Sequence, residues 1–174
     1  MTITASQVKD LRERTGLGMM ECKGALTETN GDMDAAIDLL RKKAGAKVEK
    51  KSGRTAAEGV IGMFIAPDRK LAAMVEVNSE TDFVAKGDDF AAFAAAIAAC
   101  VAANRPADVA ALNALPLAQG AAQTIAQVRE GLVSKLGENI GVRRFERYAT
   151  DQGHIASYVH GRKIGVLVEM RGGD

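Results

Sequence analysis

A degenerate internal repeat constrains this chain more than any other feature of it. Residues 59–65 align with 153–159, and residues 69–77 align with 162–170. Six of these sixteen positions are identical: Gly59/Gly153, Ile61/Ile155, Arg69/Arg162, Lys70/Lys163, Val75/Val168 and Glu76/Glu169. Each copy closes in an alternating run. Leu71, Ala73, Val75 and Val77 share one face, matched by Ile164, Val166, Val168 and Met170, which is the period-two pattern of a half-buried strand. Turn residues divide each copy, Pro67-Asp68 in one and His160-Gly161 in the other, so each predicts a β-hairpin. A hairpin without a helix against it leaves an apolar face uncovered.

Helical periodicity fills the space between the repeats. Phe90, Phe93, Ala94, Ile97 and Val101 make one long stripe behind Asp88 or Asp89 as cap, and Ile125, Val128, Leu132 and Leu136 make another. Residues 104–120 are Ala-rich with Pro106 and Pro116, which reads as connections plus one weak helix. Residues 140–148 read as a returning strand. The fold class is therefore α+β.

The first 43 residues read as three short helices. Thr4 with Gln7 has capping-box spacing, Ile3 and Val8 have staple spacing, and Gly16 supplies a stop. Met19, Cys22 and Leu26 form the second stripe, ended by Asn30-Gly31. Asp32 caps the third helix, with Met33, Ala36, Ile37 and Leu40 on one face. From 41 to 54 seven basic residues stand against the single acid Glu49, predicting a solvated and partly helical linker over 44–55. RNA binding is the sharper alternative there, but no aromatic is interleaved for base stacking. The expected organisation is a three-helix module over 1–43, a linker, a first core subdomain over 56–140, and a second beginning at 141.

Bulk properties exclude several classes. A net charge of +1 argues against a dedicated nucleic-acid binder. Hydrophobic content of 47% with 26% charged residues describes a folded domain. No apolar run reaches spanning length, and residues 1–4 lack the start of a signal peptide, so a cytoplasmic location is expected. Cys22 and Cys100 fall among helical apolar positions and read as buried free thiols. The two histidines, His154 and His160, have no metal-ligand spacing with other residues. Gly16-Leu17-Gly18 has Glu21 where a dinucleotide fingerprint wants glycine, and no phosphate loop occurs. Neither a catalytic constellation nor a cofactor of its own is expected.

Residues 78–87, Asn-Ser-Glu-Thr-Asp-Phe-Val-Ala-Lys-Gly, carry the sharpest functional signal. They follow a strand pattern and precede a helix, so Thr81, Asp82, Phe83 and Val84 are expected on an exposed turn. Phe83 either folds back into the core or probes a partner's surface. The stretch 81–86 resembles the signature of the elongation factor Ts family, exchange factors for the GTPase elongation factor Tu. Two further stretches match in the family's order: residues 11–23, Leu-Arg-Glu-Arg-Thr-Gly-Leu-Gly-Met-Met-Glu-Cys-Lys, and Gly137-Glu138-Asn139-Ile140 leading into Val142-Arg143-Arg144.

The resemblance implies a ubiquitin-associated-like module at the N-terminus and a core of two related subdomains. It implies that Asp82 and Phe83, with Thr81 and Val84, enter the GTPase near its magnesium site and dislodge the ion's support. It also implies partner contacts at Met19, Met20, Lys23, Leu136, Gly137 and His160. Four of them have a plainer reading: Met20 as gap-filler, Lys23 as a solvated side chain, Leu136 as core, His160 as a solvated turn residue. Asp174 aligns opposite Thr81, so the second copy stops before a second Thr-Asp-Phe. That suggests a shortened form whose uncovered hairpin face is met by a second chain, a homodimer, or by the GTPase. An adaptor built on the three-helix module, without exchange activity, is the rival reading. An enzyme would need a polar pocket that these residues do not assemble.

Overall fold

The computed structural model describes residues 2–172. The Asp174–Thr81 correspondence lies outside the described residues. By contacts the chain divides into two compact units, Met1–Arg54 with Gln127–Asn139, and Thr55–Ala126 with Ile140–Asp174.

The first unit is helical. Helix α1 spans Ala5–Thr15, α2 Met19–Glu28 and α3 Met33–Lys51. Thr4 and Gln7 close a capping box: the Gln7 N–H donates to the Thr4 hydroxyl (3.3 Å), and the Thr4 N–H donates to Gln7 Oε1 (3.0 Å). Gly16 ends α1 in the left-handed region at φ 69°, and Asp32 accepts the Ala35 N–H at 2.9 Å to start α3. The core is built from Val8, Leu11, Leu17, Cys22, Ala25, Leu26, Ala36 and Leu40. Met19 does not belong to it, contrary to the expected stripe, because α2 begins at that residue and the buried face of its first turn goes to Cys22. Helix α3 runs eight residues past the expected module end, through most of the expected linker. Its Ala44 is buried, and Lys47 reaches Glu21 and, at 3.0 Å, Ser134. Most of helix α7, Ile125–Leu136, falls in this unit, so residues 127–139 do not cluster with the rest of the first core subdomain.

The second unit is layered. Strands β1 (Glu58–Ile65), β2 (Leu71–Ser79) and β3 (Gly141–Ala149) form an antiparallel sheet in that order. The expected boundary after residue 140 therefore does not separate two sheets. β3 completes the first one because its pairing with β2 satisfies the backbone groups of β2's outer edge. Strands β4 (His154–His160) and β5 (Ile164–Met170) make a separate hairpin. On one face of the large sheet Ala73, Val75 and Val77 are buried in company with Phe90, Phe93, Ala94, Ile97 and Val101 of helix α5, Asp88–Asn104. Gly62 permits this approach, since a Cβ there would lie 2.3 Å from the Ala94 carbonyl oxygen. Helix α5 is not capped by the expected aspartate. Gly87 is the N-cap, and Asp88 and Asp89 occupy the first turn, where their charge complements the helix dipole. The sheet's other face meets the second hairpin: Ile155 and Leu167 bury against Ala72, Met63, Ile65, Met74 and Tyr148. The weak helix is α6, Val109–Ala114, capped by Asp108.

The two hairpins clasp each other reciprocally at aligned repeat positions. The Ile61 N–H donates to the Arg162 carbonyl (2.6 Å), and the Ile155 N–H donates to the Arg69 carbonyl (2.8 Å). Arg69 and Arg162 both take the left-handed conformation, at φ 57° and 59°. Gly59 and Gly153 each stand against a strand carbonyl at the aligned end of their own copy, where a Cβ would meet Val77 O at 2.3 Å or Met170 O at 1.8 Å. Shared backbone geometry at four aligned positions makes the repeat structural rather than a coincidence of composition.

Candidate functional site

The 78–87 stretch folds into a turn of helix held from both ends. Ser79, fully buried at the end of β2, donates its hydroxyl to the Thr81 carbonyl at 3.0 Å. Thr81 is extended and accepts the Val84 N–H on its own hydroxyl (3.4 Å), capping helix α4, Asp82–Ala85. Val84 and Ala85 turn inward and are buried, so Val84 is the anchor of the turn rather than part of its exposed face. α4 packs on β1, β2 and α5. With its neighbours fixed, Phe83 points out and 86% of its surface is exposed. A phenylalanine so placed forgoes about 1.5–3 kcal/mol of burial in the free protein, which sets it apart from the buried core residues beside it.

Asp82 and Lys86, at helical i,i+4 spacing, pair at 2.6 Å. The Lys86 hydrogen bond and charge hold the Asp82 carboxyl below its ordinary range, with a smaller contribution from Lys163. The reciprocal interaction raises Lys86. Beneath this turn, Asn78 Nδ2 donates to the Glu58 carbonyl and to Glu76 Oε1, both at 3.2 Å. Burial raises the Glu76 carboxyl, but the hydrogen bonds from Arg144 and Asn78 and the charges of Arg144 and Arg143 outweigh it, leaving Glu76 below its ordinary value.

The other sequence-derived positions lie apart along the chain. In the helical unit, Met19 and Met20 are 58% and 76% exposed and Lys23 is exposed beside them. A cavity of about 220 Å³ lined by Leu17, Met20, Gly24 and Leu40 adjoins this pair. In the same unit Leu136 is half-buried, while Val133 of α7, not singled out from the sequence, is fully buried. Gly137 follows at φ 79°, and its carbonyl accepts from Lys51. His160 is not a solitary turn residue. It ends β4, and its Nδ1 lies 3.0 Å from the Tyr158 hydroxyl with the two rings stacked.

Ser79 and Lys86, though inside the 78–87 stretch, had no role of their own in the sequence reading, and neither had Tyr158, although the i,i+4 spacing of Lys86 from Asp82 and the i,i+2 spacing of Tyr158 from His160 were visible. Cys22 and Cys100 are both buried free thiols. Among the described residues no group of three His, Cys, Asp or Glu side chains is arranged to hold a metal ion. No helix there is long and apolar enough to cross a membrane.

The family model described as Elongation factor TS matches residues 80–174. The chain is 59% identical over all 174 of its residues to Elongation factor Ts of Methylococcus capsulatus, 55% identical over 174 residues to that of Alkalilimnicola ehrlichii, and 57% identical over 174 residues to that of Hydrogenovibrio crunogenus. It covers 59%, 59% and 58% of those three proteins, so it spans well under two thirds of the length of the curated relatives it matches. The matched span opens at Glu80, one residue before the capped turn that presents Phe83, and it takes in α4, α5 and the second hairpin; this chain belongs to the elongation factor Ts family.

Proposed function

We propose that this chain is a guanine-nucleotide exchange factor for elongation factor Tu, and that it works by binding rather than by covalent chemistry. The observation that carries this reading is the 86% exposure of Phe83 on a turn whose flanking residues are buried and capped. Thr81 and Val84 hold the turn, Phe83 wedges between elements of the GTPase, and Asp82 competes for donors around the magnesium site. Mg²⁺ demands near-ideal octahedral geometry, so a small displacement of its support weakens the hold on GDP. Binding of factor and of nucleotide then oppose each other through one coupling free energy, and GTP can rebind after GDP has left. No cofactor of the chain's own is needed.

Docking is divided between the units. Met19, Met20 and Lys23 of a ubiquitin-associated-like three-helix module meet one surface of the GTPase, with Leu136-Gly137 and His160 as further contacts. The site of action is the cytoplasm, where elongation takes place. The exposed β5 face, with Ile164, Val166 and Val168 between 41% and 56% exposed, supports pairing with a second copy of the chain.

Release of fluorescent GDP from elongation factor Tu, with and without the chain, tests the reading. Acceleration that saturates with chain concentration is expected. Binding without acceleration would replace it with the adaptor reading.

A further inference from the structure

The reciprocal clasp is not symmetric in its side chains, and the asymmetry singles out one residue. In each copy a lysine follows the left-handed arginine of the turn, Lys70 after Arg69 and Lys163 after Arg162. Lys70 donates to a backbone carbonyl of the other hairpin, that of Gly153. The equivalent reach of Lys163 ends on a carboxylate, Glu58 Oε2, at 2.5 Å. The repeat has Gln152 where the first copy has Glu58, so of these two lysine ties only that of Lys163 is an ion pair. That turn is the one bearing His160: the Lys163 N–H donates to the His160 carbonyl at 3.0 Å.

Glu58 also stands opposite Ser79 in the β1–β2 register, and the Ser79 hydroxyl donates to the Thr81 carbonyl at the start of the α4 turn. Lys163 contributes to the field on Asp82, and Glu58 contributes to the field on Lys86. A cleft lined by Glu58, Glu76, Asn78, Arg144 and Lys163 runs between the start of β1 and the turn. The two pairs thus alternate in sign, Asp82–Lys86 beside Glu58–Lys163, within reach of one another's charge.

We infer that Lys163 is a positioning residue for docking: by gripping Glu58 it fixes the His160–Gly161 turn relative to the α4 turn, so that Phe83 and His160 are offered to the partner as one preset surface. This rests on the exchange-factor reading. Presetting removes an ordering cost from association, so it acts on affinity and leaves the rate from the assembled complex alone.

The test is GDP release from elongation factor Tu driven by the wild-type chain, Lys163→Met, Lys163→Arg, Glu58→Gln and the Lys163→Met/Glu58→Gln double variant. Amide hydrogen exchange at Ile61, whose N–H is bonded to the Arg162 carbonyl, is followed in the same samples. Expected for Lys163→Met are a half-saturating concentration about threefold to fivefold higher, an unchanged saturating rate and faster Ile61 exchange. Lys163→Arg should restore both readouts, and the double variant should be no worse than either single one. Unchanged half-saturation in Lys163→Met overturns the inference, and faster Ile61 exchange beside it would make Lys163 a structural staple only. A wild-type chain that fails to accelerate release overturns the exchange-factor reading itself, which is a separate outcome.

Discussion

Phe83 concentrates the functional question in one side chain. Its neighbours Val84 and Ala85 are buried, whereas Phe83 makes little use of its own apolar surface in the free protein. Phe83→Ala should therefore barely move the melting temperature, since truncating an exposed ring leaves no cavity. Burial of the ring in a complex is worth about 1.5–3 kcal/mol, so its loss should slow saturated GDP release about tenfold to a hundredfold. Normal release with a lowered melting temperature would instead make Phe83 a core residue. Lys23 lies in the other unit, and its part in the proposal is docking. Lys23→Glu should raise the chain concentration needed for half-maximal release and leave the saturating rate intact; a slower saturating rate at unchanged affinity would count against that role. The turn at Phe83 was legible because it follows a strand pattern and precedes a helix, but the direction of the ring was not, since it is decided by the Thr81 cap and by the burial of Val84 and Ala85. Lys163 was not legible, because its significance lies in Glu58, 105 positions away.

At the scale of elements, capping chemistry was the most readable layer. Thr4, Gly16 and Asp32 act where their local spacing placed them, since a cap is decided within four residues. Element ends set by distant packing were less readable. Helix α3 continues to Lys51 through a basic stretch with weak periodicity, because Ala44 and Lys47 find partners that no local pattern announces. In the sheet, Glu76 opposes Arg144 across β2 and β3 and lies 2.7 Å from its Nε, with 18% of the Glu76 side chain exposed. Its carboxyl is held below the ordinary value of 4.5 in the folded protein. The stabilisation is therefore fully present above that value and is lost as pH falls through the lower folded value. Glu76→Gln should flatten the dependence of melting temperature on pH below 4.5. An unchanged acid profile would show that the pair contributes nothing to the sheet.

For the molecule as a whole, the repeat made the two hairpins readable but not their mutual arrangement. The sequence suggested a boundary at residue 140, yet β3 joins the first sheet, a pairing between strands far apart in the chain. The same arrangement gives the two copies unequal cover. Ala73, Val75 and Val77 are buried in the first, while Val166, Val168 and Ile164 in the second are open. If a second copy covers that face, sedimentation should give a dimer mass at micromolar concentration, and Val168→Lys should return the mass to that of one chain. A wild-type chain that stays monomeric there would remove self-pairing from the proposal. The clasp also orders events during synthesis. Hairpin β1–β2 leaves the ribosome long before Arg162 and Lys163 exist, so one of its faces stays wet until the second hairpin has emerged. Closing so long a loop costs entropy before any contact rewards it, and non-local pairing of this kind is slow. The second hairpin is thus a late-arriving lid on the first, and the interval before it closes is when nascent chains are most exposed to sticking to one another.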